Sequence, residues 1–427
     1  MTLALLFLGL FVLLMTGLPI FAGISLVALL SSWFASGTIQ GLVEIFVGEV
    51  SNYLLVAIAL FALMANIMVR IRAVDDLFHF AHVVTKHLPG GLGVATILTC
   101  TIFAAIIGSS VATALTVGSI AIPQMRRYGY TTARACGVVA GGATLGILIP
   151  PSGPMILYSL VTDASVGALF MAGILPGLVL AALFAAAHVI MAVHAHDLKT
   201  EPRATWGETW GAFVKASPSL CLPVVILGGI YGGFFTATEA ASAGVVGALL
   251  IGALHYRNLS FASVFDASMA AAMTTAMVLM IVGASAMFSN VVTLLQLPNQ
   301  ILEGISALGL GPVQFLILMM LCLLVLGMFL EAVAIILITT PVVLPTLIAM
   351  DINLVWYGIL LVIALEVAQI SPPVGLNLFV MKAVTGASLG TVMKGSVPYL
   401  VIMLVFLFAA VLLPGAILWL PRLTGYG

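Results

Sequence analysis

Charge is what this chain has least of. Asp, Glu, Lys and Arg make up 6% of its 427 residues, and 63% are hydrophobic. A soluble domain carries roughly 25% charged residues, so a water-soluble globular protein is excluded. Lys and Arg number 13 against 14 Asp and Glu, a net charge of −1, and there is no basic tail to hold nucleic acid. Cys100, Cys136, Cys221 and Cys322 lie apart within apolar stretches, with no pair at metal-ligand spacing. They are expected to be small buried hydrophobes. HExxH, G-x-S-x-G and P-loop signatures are also missing, as is any Ser/His/Asp or di-carboxylate arrangement. Nothing argues for an enzyme or an organic cofactor. His79, His82, His87, His194, His196 and His255 fall at expected membrane interfaces and read as snorkelling side chains.

What the chain has is apolar length. Stretches near the roughly 20 residues that cross a bilayer recur from end to end, whereas a transmembrane β-barrel would show short alternating segments. The fold class is therefore an all-α polytopic membrane protein. The first stretch, residues 3–15, lacks a charged start and a cleavage site and reads as a retained helix, not a signal peptide.

Two proline pairs interrupt the long apolar segments. One is Pro150-Pro151 within Ile149-Pro150-Pro151-Ser152-Gly153-Pro154; the other is Pro372-Pro373 within Ile370-Ser371-Pro372-Pro373-Val374-Gly375. Proline removes a backbone donor and clashes with the preceding turn, so each pair breaks its helix. At membrane depth the freed backbone groups are tolerated where they line a cavity or hold a ligand. A second kind of interruption, Gly108-Ser109-Ser110-Val111-Ala112-Thr113, divides residues 92–125 into two half-length helices, the pattern of a re-entrant hairpin.

The two breaks belong to an internal repeat with a shift of 222 residues. Pro123 to Pro150 and Pro345 to Pro372 are both 27 positions, and Gly153 maps to Gly375. The tip at Gly108 maps to the region Gly327-Met328-Phe329-Leu330-Glu331. The halves are residues 1–205 and 206–427, with hairpins at about 92–125 and 312–347 and broken helices at about 135–160 and 355–381. Each half then has five crossings and a hairpin, and an odd number inverts the second half. Charge gives an independent test. Arg70, Arg72, Lys86, Arg126, Arg127 and Arg134 flank the first hairpin, and the matching segments of the second half carry no Lys or Arg. Positive residues stay cytoplasmic, which places both termini outside, with Arg422 the one residue on the wrong side.

Hairpin tips and helix breaks together offer carbonyls that suit a small cation and helix N-termini that suit a carboxylate. Ser109, Ser110, Thr113, Ser152 and Asn377 add neutral hydroxyl and amide groups for a substrate. No Arg or Lys sits at these elements, so an anionic substrate needs bound cations to offset its charge. Glu331 beside the second tip and Glu366 a turn before the second break are intramembrane acids, by default functional. Glu239, near an external turn, reads as solvated. The neutral hydroxyls also have a bland reading, bonding back to their own helices, and Gly141, Gly142 and Gly146 read equally as close-packing glycines.

These residues resemble a known family, the large membrane subunit of tripartite ATP-independent periplasmic (TRAP) transporters. The resemblance is carried by Gly108-Ser109-Ser110-Val111-Ala112-Thr113-Ala114, Ile122-Pro123-Gln124-Met125 with Gly129-Tyr130, and Gly146-Ile147-Leu148-Ile149-Pro150-Pro151-Ser152. It continues in Gly173-Ile174-Leu175-Pro176-Gly177, Thr236-Ala237-Thr238-Glu239 and Pro372-Pro373-Val374-Gly375-Leu376-Asn377-Leu378-Phe379. It implies uptake of a small organic anion, a carboxylate or sugar acid, driven by Na⁺. It also implies an elevator mechanism in the bacterial inner membrane, in which hairpins and broken helices form a moving transport domain and the remaining helices a scaffold. The partners implied are a periplasmic substrate-binding protein and a small four-helix membrane subunit. Carried onto this chain, one Na⁺ site would use Gly108, Ser109 and Ser110 with Gly146, Ile149 and Pro151. The other would use Gly327 with Ile370, Pro372 and Gly375. A self-sufficient Na⁺/anion symporter without a binding protein stays as the alternative.

Overall fold

The computed structural model describes residues 9, 10, 12, 13, 16–195 and 200–426, the side chains of 195 and 306 excepted; most of the first expected helix lies outside them. Among the described residues there is no strand. The chain opens with α1 (Ile20–Ser36), α2 (Leu42–Val50), α3 (Leu54–Arg70) and the amphipathic α4 (Ala73–Thr85). The first hairpin is α5 (Gly91–Ile107) and α6 (Ser110–Arg127), and the first broken helix is α7 (Thr132–Ala143) and α8 (Gly153–Thr162). Then follow α9 (Val166–Ala195), α10 (Trp206–Tyr231), α11 (Ala237–Leu250, continued as a wider turn to Tyr256) and α12 (Phe261–Leu294). After α13 (Leu297–Ala307) come the second hairpin, α14 (Pro312–Gly327) and α15 (Ala332–Ala349), and the second broken helix, α16 (Leu354–Gln369) and α17 (Leu376–Thr385). The chain closes with α18 (Leu389–Leu412), α19 (Pro414–Ile417) and α20 (Trp419–Leu423). Among the described residues six helices are long and apolar enough to cross a membrane, and α2 with α3, bent by 52°, passes as a seventh span.

Helix bounds keep the 222-residue spacing. The helix α6 starts at 110 and ends at 127, α15 starts at 332 and ends at 349, and both differences are 222; α7 and α16 start at 132 and 354, again 222 apart. Packing keeps it too. Helix α6 lies on α17 and α15 on α8, two pairs that the same shift interchanges. Helix α3 lies on α11, and α12 on α1, in the same relation. Two groups result: α1–α3 with α11 and α12, and the hairpins and broken helices with α9 and α18. The face of α3 and the middle of α12 meet the second group.

The two breaks differ in where they begin. The prolines place the first at Pro150, yet α7 stops at Ala143, followed by one tight turn over Thr144–Gly146. Helix α16 runs to Gln369, within three residues of Pro372. The cause is local. Gly137, Gly141, Gly142 and Gly146 precede the first break, and interior glycine costs about 0.5–1 kcal/mol per residue relative to alanine. The matching turn of α16 reads Ile363-Ala364-Leu365-Glu366-Val367-Ala368, which has no glycine and four strong helix formers in Ala364, Leu365, Glu366 and Ala368. The glycines of α7 are also packing positions: a Cβ on Gly141 would stand 2.6 Å from the Tyr399 ring.

Burial corrects one expectation. Cys100 and Cys136 are buried, but Cys221 and Cys322 are exposed. Both sit on helix faces left partly open among the described residues, and periodicity cannot distinguish an apolar face packed on protein from one facing lipid. The seventh histidine, His188, is fully buried in α9. Its Nδ1 lies 3.0 Å from the Tyr399 hydroxyl and its Nε2 3.4 Å from that of Tyr130. Tyr130 in turn accepts from the Gly93 N–H at 3.1 Å. The base of the first hairpin is thereby tied to α9 and α18. Glu239 is exposed and completes a capping box with Thr236 at the start of α11.

Candidate functional site

The first hairpin turns at Gly108, the end-cap of α5, with φ +64. A left-handed backbone there favours glycine, and a Cβ would stand 2.5 Å from the Pro151 carbonyl oxygen. Tip and break are thus in backbone contact. Ser109 follows in an extended conformation and caps α6, its Oγ accepting from Ala112 N–H at 3.4 Å. The second approach is Gly146, where a Cβ would lie 2.6 Å from Ser110 Cα. The second hairpin turns over residues 328–330, and the extended residue before its returning helix is Glu331, which makes no side-chain cap.

Both tips, both breaks and the two-helix wall of α3 and α12 surround one cavity of about 310 Å³. Asn66, Ala65 and Phe61 of α3 and Thr274, Met277 and Val278 of α12 form the wall. Ile107 to Ala112 come from the first tip, Ile147, Pro151, Gly153 and Pro154 from the first break, Glu331 to Val333 from the second tip, and Gln369 and Leu376 from the second break. The volume sits near the lower end of the range for small-molecule sites, about 300–1,000 Å³. Glu331 is the one ionisable side chain among these lining residues, and no Lys or Arg is present.

The structure distributes the expected site residues unevenly. Gly108, Ser109, Ser110 and Pro151 line the cavity; Thr113, Gly146, Ile149, Ser152, Gly327, Ile370, Pro372, Gly375 and Asn377 do not. Thr113 bonds back to the Ser109 carbonyl at 2.8 Å, and Ser152 caps α8 through Met155 N–H at 3.4 Å, so their hydroxyls serve their own segments. Ile149 N–H returns to the Leu145 carbonyl at 3.1 Å and Ile370 N–H to that of Val367 at 3.3 Å. Gly327 is pressed against Ala368, and Pro372 is exposed. Asn377 is fully buried, and neither its Oδ1 nor its Nδ2 has a partner among the described residues.

Three lining residues escaped the sequence. Asn66 and Thr274 are polar positions in otherwise apolar helix faces, and Gln369 immediately precedes the second break. A search for isolated polar residues on apolar helices would have found the first two. One relation had no sequence signal at all: Ser110 Oγ donates to Glu366 Oε1, joining the first tip to the second broken helix, and Ile147 N–H donates to the same oxygen at 3.3 Å.

The residues present fit a hard cation. The buried polar atoms with no partner among the described residues include Glu366 Oε2 and Gln369 Oε1, both oxygen acceptors next to a break. Buried acceptors left unpaired are costly unless something binds them. Among the described residues no cluster of His, Cys, Asp and Glu is built for a transition metal.

Residues 7–416 match the family model described as the tripartite ATP-independent periplasmic transporter, DctM component. The chain is 40% identical over 374 residues to the C4-dicarboxylate TRAP transporter large permease protein of Pseudomonas aeruginosa, covering 88% of this chain and 87% of that one. It is 34% identical over 411 residues to the isethionate TRAP transporter permease protein DctMQ of Oleidesulfovibrio alaskensis, covering 94% of this chain and 63% of that protein. Among solved structures, the Alcanivorax borkumensis YdaH transporter superposes with a TM-score of 0.62 at 16% identity over 88% of both chains. That likeness concerns the fold alone.

Proposed function

The chain belongs to the DctM family of tripartite ATP-independent periplasmic transporters, and from that premise we propose that it carries a small organic anion inward, coupled to Na⁺, by an elevator motion. The observation that carries the reading is the cavity at the boundary between the two packed groups. Both hairpin tips and both breaks line one side of it, and α3 and α12 line the other. A substrate held there touches a group of helices able to move as a body and a wall able to stay still.

In this reading the hairpins and broken helices, with α9 and α18 packed on them, form the transport domain, α1–α3 with α11 and α12 belong to the scaffold, and the 222-residue spacing of bounds and contacts supports an inverted repeat. Gly108, Ser109, Ser110 and Pro151 act at one cation site and the residues near Gly327 and Ile370 at the other. The electrostatics support cation coupling. A carboxylate entering a cavity whose one ionisable lining residue is Glu331 gains no side-chain counter-charge, so cations and helix N-termini must supply it. A dicarboxylate or another small acid is the substrate class, in keeping with the name of the Pseudomonas relative.

The partners follow from the family: a periplasmic binding protein that delivers the substrate, and a small membrane subunit. The unmatched third of the isethionate permease leaves room for such a subunit in one chain. The location is the bacterial inner membrane. Arg70, Arg72, Lys86, Arg126, Arg127 and Arg134 face the cytoplasm and both termini the periplasm.

The test is uptake into proteoliposomes containing this chain and its small subunit, with and without an inward Na⁺ gradient and the cognate binding protein. Uptake that requires both is expected. Uptake with Na⁺ alone would move the assignment to a self-sufficient symporter, and uptake indifferent to Na⁺ would remove the coupling.

A further inference from the structure

Glu366 is the one fully buried acid among the described residues, 0% exposed inside α16. One of its oxygens is fully used: Oε1 accepts from the Ser110 hydroxyl and from the Ile147 N–H, donors that belong to the first tip and the first break. The other, Oε2, has no partner among the described residues. Three residues on along the same helix, and so on a neighbouring face, Gln369 borders the cavity with its Oε1 also unpartnered.

Each state of a bare carboxyl group leaves something unsatisfied here. As a carboxylate, Glu366 is a buried charge without a counter-charge, a costly arrangement. As a neutral acid protonated on Oε1, it can donate to the Ser110 hydroxyl oxygen, but Oε2 is then a buried carbonyl-type acceptor with no partner among the described residues. A cation seated on Oε2 removes both problems, and the side-chain oxygen of Gln369 and backbone carbonyls of the tip are oxygen ligands of the same hard type. The repeat offers no second copy of this arrangement. The counterparts of Glu366 and Ser110 at the 222-residue shift are Thr144 and Ala332, and Thr144 bonds to the Gly141 carbonyl of its own helix at 2.6 Å.

From this geometry we infer that Glu366 supplies a carboxylate ligand to the Na⁺ at the first hairpin tip, one oxygen holding the tip and the other holding the ion. The inference rests on the Na⁺-coupled reading above. It adds two side chains from the second half of the chain, Glu366 and Gln369, to a site whose backbone ligands come from the first half. The ion then clamps the first tip to the second broken helix, and both halves register its arrival.

The test needs no transport. The purified chain is unfolded by heat across a Na⁺ series, with choline holding ionic strength constant. Na⁺ stabilises the wild type, and Glu366→Gln, which keeps the size and an acceptor for Ser110, raises the Na⁺ needed for half the effect by about 10-fold or more. Should that variant fail to fold, the wild type answers: Na⁺ but not choline slows modification of Glu366 by a hydrophobic carbodiimide, read from the mass of its peptide. Unchanged Na⁺ dependence in Glu366→Gln, or modification equally fast in both salts, would overturn the inference while the wild type's own Na⁺ response leaves the coupling intact. A wild type that Na⁺ does not stabilise would overturn both.

Discussion

Ser109 and Glu331 stand at the same place in the two halves, 331 − 109 = 222 residues apart, each the extended residue before the returning helix of its hairpin. Ser109 uses its oxygen to cap α6, whereas Glu331 makes no cap and its carboxyl borders the cavity. Both residues line the cavity, but only the Ser109 side chain also caps its own helix. Ser109→Ala is expected to cost about 0.5–2 kcal/mol of stability, the range for a lost N-cap. Glu331→Gln is expected to stay within about 0.5 kcal/mol while altering the Na⁺ dependence of uptake, since it removes the one charge in the lining. Thermal unfolding and uptake against Na⁺, run on both variants, separate the two roles.

Gly146 tests the contact between tip and break. Its Cβ would meet Ser110 Cα at 2.6 Å and Ser110 N at 2.7 Å, backbone atoms that no rotamer change can move aside. Gly146→Ala must displace the tip, at a stability cost of about 1–3 kcal/mol. A misplacement of about 1 Å at a positioned site lowers turnover by on the order of 100-fold. Gly390→Ala in the first turn of α18, with nothing within 4 Å, is the control and should stay within about 0.5 kcal/mol of the parent. Comparable uptake by the two variants would show that the close approach at Gly146 has no bearing on transport.

The His188 cluster makes a stability prediction. Tyr399→Phe keeps the ring against Gly141 and removes the hydroxyl 3.0 Å from His188 Nδ1, leaving a fully buried nitrogen unpartnered. The expected cost is about 1–3 kcal/mol, read as a lower unfolding temperature with unchanged Na⁺ dependence. A Tyr399→Phe variant as stable as the parent would mean that the imidazole finds another partner.

A pH effect is expected outside the membrane, where the connector between the halves docks. Glu201 N–H bonds to the Lys86 carbonyl at 3.1 Å, the Tyr128 hydroxyl donates to Glu201 at 2.8 Å, and His82 Nε2 lies 3.8 Å from the same carboxylate. Burial lowers the His82 pKa, and Glu201 opposes that only in part. The docked state therefore binds fewer protons than the undocked one between the lowered value and the ordinary value of about 6.5. Docking is complete above that range and weakens as pH falls into it. Trypsin cleavage at Arg203 should speed up from pH 7.5 to 5.5 beyond the enzyme's own pH profile, and His82→Phe should abolish the difference. Cleavage with no pH dependence of its own would contradict the assignment.

Much of this architecture was legible in the residues. Proline spacing, together with the Gly153 and Gly375 positions and the order of the interruptions, gave the 222-residue shift that the helix bounds keep, and the expected bounds 92–125 and 312–347 fall within two residues of the outer ends of α5, α6, α14 and α15. Pro150 did not mark where α7 stops, because the glycines upstream weaken the helix a turn earlier than the proline requires. Through-space relations were not legible. Nothing in sequence joins Ser110 to Glu366, which are 256 residues apart. Nor does hydropathy separate the buried Cys100 from the exposed Cys322, since lipid and protein interior select the same side chains.

The most direct measurement is ion movement itself. Labelled Na⁺ and labelled substrate are followed into the same proteoliposomes, with the binding protein outside and no imposed Na⁺ gradient, so that the substrate gradient is the only driving force. Na⁺ entering in a fixed ratio to substrate, and ceasing when the binding protein is omitted, is the predicted result. Substrate accumulating while Na⁺ entry stays at the level of empty liposomes would contradict the account.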